Sequence, residues 1–272
     1  MCLIDRKRVT DAFAGYTSAY NAEDPKIKLK IDHTYRVAAM AEDIARSLKD
    51  GINTGAAAES GCGIDPDFAW LCGMLHDIGR FEQVRRYNTF SDADSVDHAG
   101  LGADLLFNEG LLDRFISDRG VFNENGDNLR LLELAIRNHS AYRIEEGLSP
   151  QEQMYCNILR DADKVDIFRV NYDTPLEDIY NTTTEELKAA SVTEEVKQCF
   201  REKHCVLRAL KKTPIDHLVG HICLTFELVT SRGLELAREQ GYVDKLMAYQ
   251  SDNPDTAQWF GYMRENLWKQ LI

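Results

Sequence analysis

Apolar side chains recur at three- and four-residue intervals along most of the chain, the spacing of one face of an α-helix. Between residues 5 and 20 the repeat is carried by Val9, Phe13, Tyr16 and Tyr20, and between 27 and 49 by Val37, Met40, Ala41, Ile44 and Leu48. A third helix opens at Asp65-Pro66 and continues through Phe68, Leu71, Cys72 and Leu75. Asp65 is placed to cap it, with proline at the first helical position. The same periodicity predicts helices over 96–108, 110–118, 128–141, 150–170, 214–238, 241–250 and 254–270. No long run alternates β-branched with polar residues. The expected fold class is all-α.

Three stretches interrupt the pattern. Residues 50–64 (DGINTGAAAESGCGI) are small and glycine-rich and read as a surface loop. Residues 85–97 (RRYNTFSDADSVD) are polar with a few aromatics and read as a loop. From 171 a turn-rich passage (NYDTPLEDIYNTTTEEL) leads to amphipathic helices with Trp259, Phe260, Tyr262 and Trp268, expected to pack on the N-terminal helices or to form a homodimer surface. The division expected is a helical domain over 1–170, its core 27–170, and a C-terminal helical extension over 171–272.

Composition narrows the class. Of 272 residues, 44% are hydrophobic and 28% charged, as in an ordinary soluble globular protein. No apolar run approaches the roughly 18 residues that span a bilayer, so no membrane partner is expected. The start, MCLIDRKRVTDAFAGY, has charges directly after Ile4 and no secretory apolar region, so the expected compartment is the cytoplasm. A formal net charge of -13 argues against a nucleic-acid polymer as partner. It leaves room for a small phosphorylated substrate held by local cations and a metal. The seven cysteines (Cys2, Cys62, Cys72, Cys156, Cys199, Cys205, Cys223) contain no CxxC pair. Cys72 and Cys223, set among apolar residues, read as core.

The chemistry gathers on histidines and aspartates. His33 lies in KIDHTYR, His76-Asp77 in GMLHDIGR, and Asp163 in LRDADKVD, each on or at the end of an apolar-periodic helix. Imidazole and carboxylate donors converging from several helices suit a divalent or trivalent first-row metal. Adjacent helical residues point about 100° apart, so His76 and Asp77 reach one cluster only if the helix ends there. His98 and His139 are weaker candidates of the same kind. Lys30 and Arg36 flank His33 on its helical face, Arg80 follows His76-Asp77, Lys164 follows Asp163, and Arg143 lies one turn after His139. Arg80 and Lys30 rank first for phosphate contact and catalysis beside Asp77, with Arg36, Lys164 and Arg143 as further substrate contacts. Arg85 and Arg86 read as surface charges. His217 and His221, four residues apart, lack the glutamate of an HExxH site and read as core or surface histidines.

The order His…His-Asp…Asp, with MLHDIGR and LRDADKVD, resembles the HD-domain superfamily of metal-dependent phosphohydrolases over roughly residues 27–170. That resemblance implies an all-α HD bundle with His33, His76, Asp77 and Asp163 on one metal. His98 and His139 resemble the two-metal variant, in which Asp77 bridges and these two join the second ion. Arg80 stands where the common HDIGK variant has lysine, and keeps the charge with a planar fork for phosphate. One or two ions are expected, drawn from Fe, Mn, Zn, Mg or Ni. Two ions about 3.5–4 Å apart could share a hydroxide and clamp a phosphoryl oxygen. The expected activity is hydrolysis of a phosphomonoester, phosphodiester or nucleotide by a metal-activated hydroxide. The alternative is a di-iron oxygenase of the myo-inositol-oxygenase type, which needs the same six residues.

Overall fold

The computed structural model describes residues 4–53, 63–124, 126–180 and 182–271. The described residues contain helices and no strand. The chain divides into two compact units, Met1–Asp163 and Lys164–Ile272.

The first unit begins with α1 (Arg6–Thr17), capped by Asp5, whose carboxylate accepts the Arg8 N–H at 3.0 Å. α2 (Pro25–Asn53) carries Val37, Ala38, Ala41, Ile44 and Ala45 buried along one side. α3 (Pro66–Leu75) opens as its sequence predicts: Asp65 accepts the Asp67 N–H at 3.0 Å, with Pro66 at the first position. From Phe68 to Leu75 every residue of α3 is buried, so this is a helix apolar on all sides at the centre of its unit. It crosses α2 closely because Gly73 has no side chain. A Cβ there would stand 2.5 Å from Ala38 Cα.

α4 (Ile78–Tyr87) ends on Asn88, a left-handed C-cap at φ 53°. α1 buttresses its start: Tyr16 Oη donates to the Ile78 carbonyl at 3.1 Å, and Phe81 packs edge-on against Phe13 and Tyr16. α5 (His98–Ala103) is capped by Asp97, which accepts the N–H groups of Ala99 and Gly100. A wider π-type turn, Asp104–Asn108, continues it. α4 and α5 touch through glycines, since a Cβ on Gly79 would lie 2.3 Å from the His98 carbonyl oxygen and 2.6 Å from Gly102 N. Two short helices follow, α6 (Leu112–Phe115) and α7 (Arg119–Asn123), then α8 (Asn128–Asn138), capped by Asp127. The last helix, α9 (Pro150–Asp173), supplies Arg160, whose guanidinium Nη1 donates to the Asn138 and Ala141 carbonyls and so pins the end of α8.

The second unit contains α10 (Leu176–Tyr180), α11 (Thr184–Ala189), α12 (Glu194–Arg201), α13 (Pro214–Ile222), α14 (Ser231–Gln240), α15 (Tyr242–Met247) and α16 (Pro254–Gln270). Its core gathers Phe200, Phe260, Met263 and Leu267, with Trp259 edge-on to Phe200.

Several boundaries differ from the periodicity. The single helix expected over 214–238 is two. α13 stops at Ile222, a 3-10 turn spans Cys223–Glu227, Leu228 is extended, and Thr230 caps α14 by accepting the Gly233 N–H at 3.0 Å. The apolar spacing runs through the break because Ile222, Cys223 and Leu228 are buried across it. The helix expected over 110–118 shrinks to α6, since Ile116 turns extended at ψ 119°. The loop expected from 85 starts only at Asn88. The turn-rich passage after 171 holds α10 and α11, the latter opened by a reciprocal capping box between Thr183 and Glu186. Of the loop expected over 50–64, residues 50–53 belong to α2. Residues 54–62, with Cys62, and Cys2 lie outside the described residues. No described helix is long and apolar enough to cross a membrane.

Candidate metal centre

Six helices, α2, α3, α4, α5, α8 and α9, deliver six side chains to one place. His33 comes from α2, His76 and Asp77 from the α3–α4 junction, His98 from the start of α5, His139 from the end of α8 and Asp163 from α9. The junction solves the problem of adjacency. His76 closes α3 with helical dihedrals, whereas Asp77 leaves the helix at φ -103°, ψ 16° before α4 begins. The chain turns between them and both side chains face the same point.

Asp77 sits at the middle. Its Oδ2 lies 3.4 Å from His33 Nε2 and 3.5 Å from His76 Nε2. Its Oδ1 lies 3.4 Å from His98 Nε2 and 3.6 Å from His139 Nε2. Asp163 Oδ1 completes the first group, 3.1 Å from His33 Nε2 and 3.8 Å from His76 Nε2. The four rings and Asp77 are at most 3% exposed, and Asp163 8%.

The second nitrogen of each characterised ring explains the orientation of the first. His76 Nδ1 donates to the Gly73 carbonyl at 2.7 Å, and His139 Nδ1 to the Ile136 carbonyl at 2.7 Å. Both use a carbonyl in the last turn of a helix, three residues back. His98 Nδ1 donates to Asp92 Oδ2 at 2.7 Å. These acceptors place the proton on Nδ1 and leave Nε2 bare. His98 Nε2 and His139 Nε2 nevertheless stand 3.0 Å apart, beside a carboxylate oxygen. Two lone pairs and an anion at that spacing repel unless a cation lies among them. The donor set therefore fits a metal: His33, His76 and Asp77 form one group that could hold an ion, and Asp77, His98 and His139 a second. Asp92, Asp97 and His98 also cluster, but there Asp92 receives the His98 Nδ1–H and Asp97 caps α5.

The HD domain family matches residues 31–168, just over half of the chain, and the matched span contains all six donors. The chain belongs to the HD domain family. Comparison with curated proteins and with solved structures gave no significant match. Membership suggests metal-dependent hydrolase activity.

Charge in this HD domain is arranged around Asp77. Burial resists its ionisation, but the Lys30 ammonium at 2.6 Å and the surrounding imidazoles hold the carboxyl well below the usual carboxylate range. Asp163 is held low against burial by His33 first, then His76 and His139. Burial pushes His76 down despite Asp77, and burial together with the Arg80 charge takes His98 down to about 4. His76 and His98 are thus kept neutral, as ligation requires.

The cations named from the sequence are distributed unevenly. Lys30 Nζ bonds Asp77 Oδ2 and lies 5.5 Å from the Phe90 ring centroid. Arg80 Nε lies 3.6 Å from Asp77 Oδ1, while its Nη1 donates to the Phe90 carbonyl (2.7 Å), Gln83 Oε1 (2.8 Å) and Asp92 Oδ1 (2.9 Å). Arg36 is half-buried on α2 and Lys164 is buried on α9. Arg143 is exposed, its guanidinium 5.0 Å from the Tyr142 ring. Arg85 and Arg86 both bond Glu82. His217 and His221 lie in the second unit, where His221 Nδ1 meets Tyr180 Oη at 2.9 Å. Sequence reasoning missed Asp92. It sits in a polar stretch with Asp94 and Asp97, and nothing in the spacing sets it apart from them.

Proposed function

We propose that this HD domain hydrolyses a phosphate ester of a small substrate (a phosphomonoester, phosphodiester or nucleotide) with one or two bound metal ions. One observation carries the reading: the two oxygens of Asp77 face two separate sets of imidazole nitrogens. His33, His76, Asp163 and Asp77 Oδ2 would hold one ion, and His98, His139 and Asp77 Oδ1 the other. Ions there would supply a hydroxide nucleophile near neutral pH and draw charge from a phosphoryl oxygen.

The remaining work falls to the chain. Lys30 and Arg80 place two positive charges beside Asp77, where an arriving phosphate would compete for them. Arg36, Lys164 and Arg143 are assigned to the rest of the substrate. The buried α3 residues Leu71, Met74 and Leu75 keep the wall beside His76 dry, which strengthens every charge interaction within. Residues 1–170 make up the catalytic domain on this reading, and 171–272 are an extension that contributes none of the proposed ligands.

These cations favour phosphate over oxygen chemistry. The test is phosphate release from a panel of phosphorylated metabolites with manganese or iron, run beside oxygen uptake by the iron-loaded protein. We expect release that disappears in Asp77→Ala. Oxygen uptake without phosphate release from any compound would overturn the proposal in favour of di-iron oxygenase chemistry on the same donors.

A further inference from the structure

We propose that Asp92 is a positioning residue that sets the tautomer of His98 and ties it to Arg80, so that the second group of donors and the cationic wall are built as one piece. The inference rests on the reading of His98 as a ligand and deepens it.

Both carboxylate oxygens of Asp92 are committed, to different partners. Oδ2 accepts the His98 Nδ1–H at 2.7 Å. Oδ1 accepts Arg80 Nη1 at 2.9 Å and Gln83 Nε2 at 2.8 Å. Gln83 extends the grip along the loop between α4 and α5, donating to Ser95 Oγ and the Val96 carbonyl, while its Oε1 receives Arg80 Nη1. Arg80 Nη1 also reaches the Phe90 carbonyl. Residues 90–96 are thereby fastened to α4 through one guanidinium, one amide and one carboxylate.

His98 differs in this respect from His76 and His139. His76 and His139 hand Nδ1–H to backbone carbonyls, and those acceptors do not depend on a side chain. His98 hands its proton to an anion, which makes its Nε2 the more basic donor. Aspartate-to-asparagine substitution is the incisive change. An amide cannot accept from His98 and from Arg80 with Gln83 at once. With the amide oxygen kept on Arg80, the NH2 faces His98 Nδ1 and drives the ring to carry its proton on Nε2, directed at His139. With the oxygen kept on His98, the NH2 meets the Arg80 guanidinium.

The experiment uses the full chain and two readouts. Nitrogen-15 spectra of metal-free, histidine-labelled protein report which nitrogen of His98 is protonated. Chelator competition with manganese, followed by elemental analysis, reports the number and affinity of bound ions. We expect Nδ1–H in the unsubstituted protein and a shift toward Nε2–H in D92N. The weaker-bound of two ions should lose about 10–100-fold in affinity, the usual cost of losing such a partner. Ser95→Ala, which loosens the loop but leaves the carboxylate, should keep the tautomer and both ions. Melting curves identify a variant that has simply lost its fold, and Asp92→Glu then supplies the same comparison with the charge retained. An unchanged His98 tautomer in folded D92N overturns the proposal. Fewer than two ions on the unsubstituted protein overturns the two-ion reading instead, and the tautomer still decides the role of Asp92.

Discussion

Gly79→Ala is the substitution that tests how the site is assembled. A Cβ at Gly79 would stand 2.3 Å from the His98 carbonyl oxygen, 2.6 Å from Gly102 N and 3.0 Å from Gly102 Cα, where ordinary contact begins at 3.4 Å. All three atoms are backbone, so no rotamer relieves the clash. α4 and α5 must separate by about 1 Å, and His98 travels with α5. Metal–ligand distances tolerate about 0.2 Å, and the His98–Asp77 approach is 3.4 Å. The second donor group should therefore fail while the first, which does not use α5, persists. Overpacking of this kind costs about 1–3 kcal/mol, or roughly 2–12 °C in Tm for a chain of this size. Calorimetry with elemental analysis measures both effects. Gly15→Ala is the control, because a Cβ there meets nothing within 4 Å. In the interior of α1 it should stabilise by about 0.5–1 kcal/mol. A Gly79→Ala protein that melts with the unsubstituted chain and keeps two ions would refute the account of the α4–α5 crossing.

Asp77→Ala should abolish ion retention on a desalting column while the far-ultraviolet circular dichroism stays helical; retained ions would show that other donors suffice. Stripping metal with a chelator should lower Tm, and restoring it at 100 times its Kd should return about 2.7 kcal/mol; an unchanged Tm would mean the ions do not bind the folded centre. Burial raises the Cys72 thiol well above its ordinary value and pushes Cys156 up to about 12. At pH 8 only about one Cys156 in 10⁴ would be thiolate, so alkylation of either cysteine should track global unfolding. Fast labelling in the native state would contradict their burial.

The helical class and the six converging donors were legible because each depends on residue type and local spacing. His76-Asp77 followed by Ile-Gly marks a helix end, and Asp65-Pro66 marks a start, without knowledge of anything distant. What could not be read depends on partners remote in sequence. The charge on Arg80 was evident, but its Nη1 is turned to Phe90, Gln83 and Asp92 by the return of the loop. Asp92 looked like any polar loop residue until α5 brought His98 beside it. The break after Ile222 stayed hidden because buried residues continue through it, from Cys223 and Thr225 to Leu228. α10 and α11 escaped notice because five or six residues are too few to display a period.

The donors are spread from His33 to Asp163, and that spread orders events during synthesis. Chains fold as they emerge, N-terminal parts first. His33, His76 and Asp77 are present early, and the set of Asp77, His98 and His139 is complete once residue 139 has been made. The partner of the first set, Asp163, arrives last. All the proposed donors of the second group are thus made before Asp163, the last of the first group, which waits for α9.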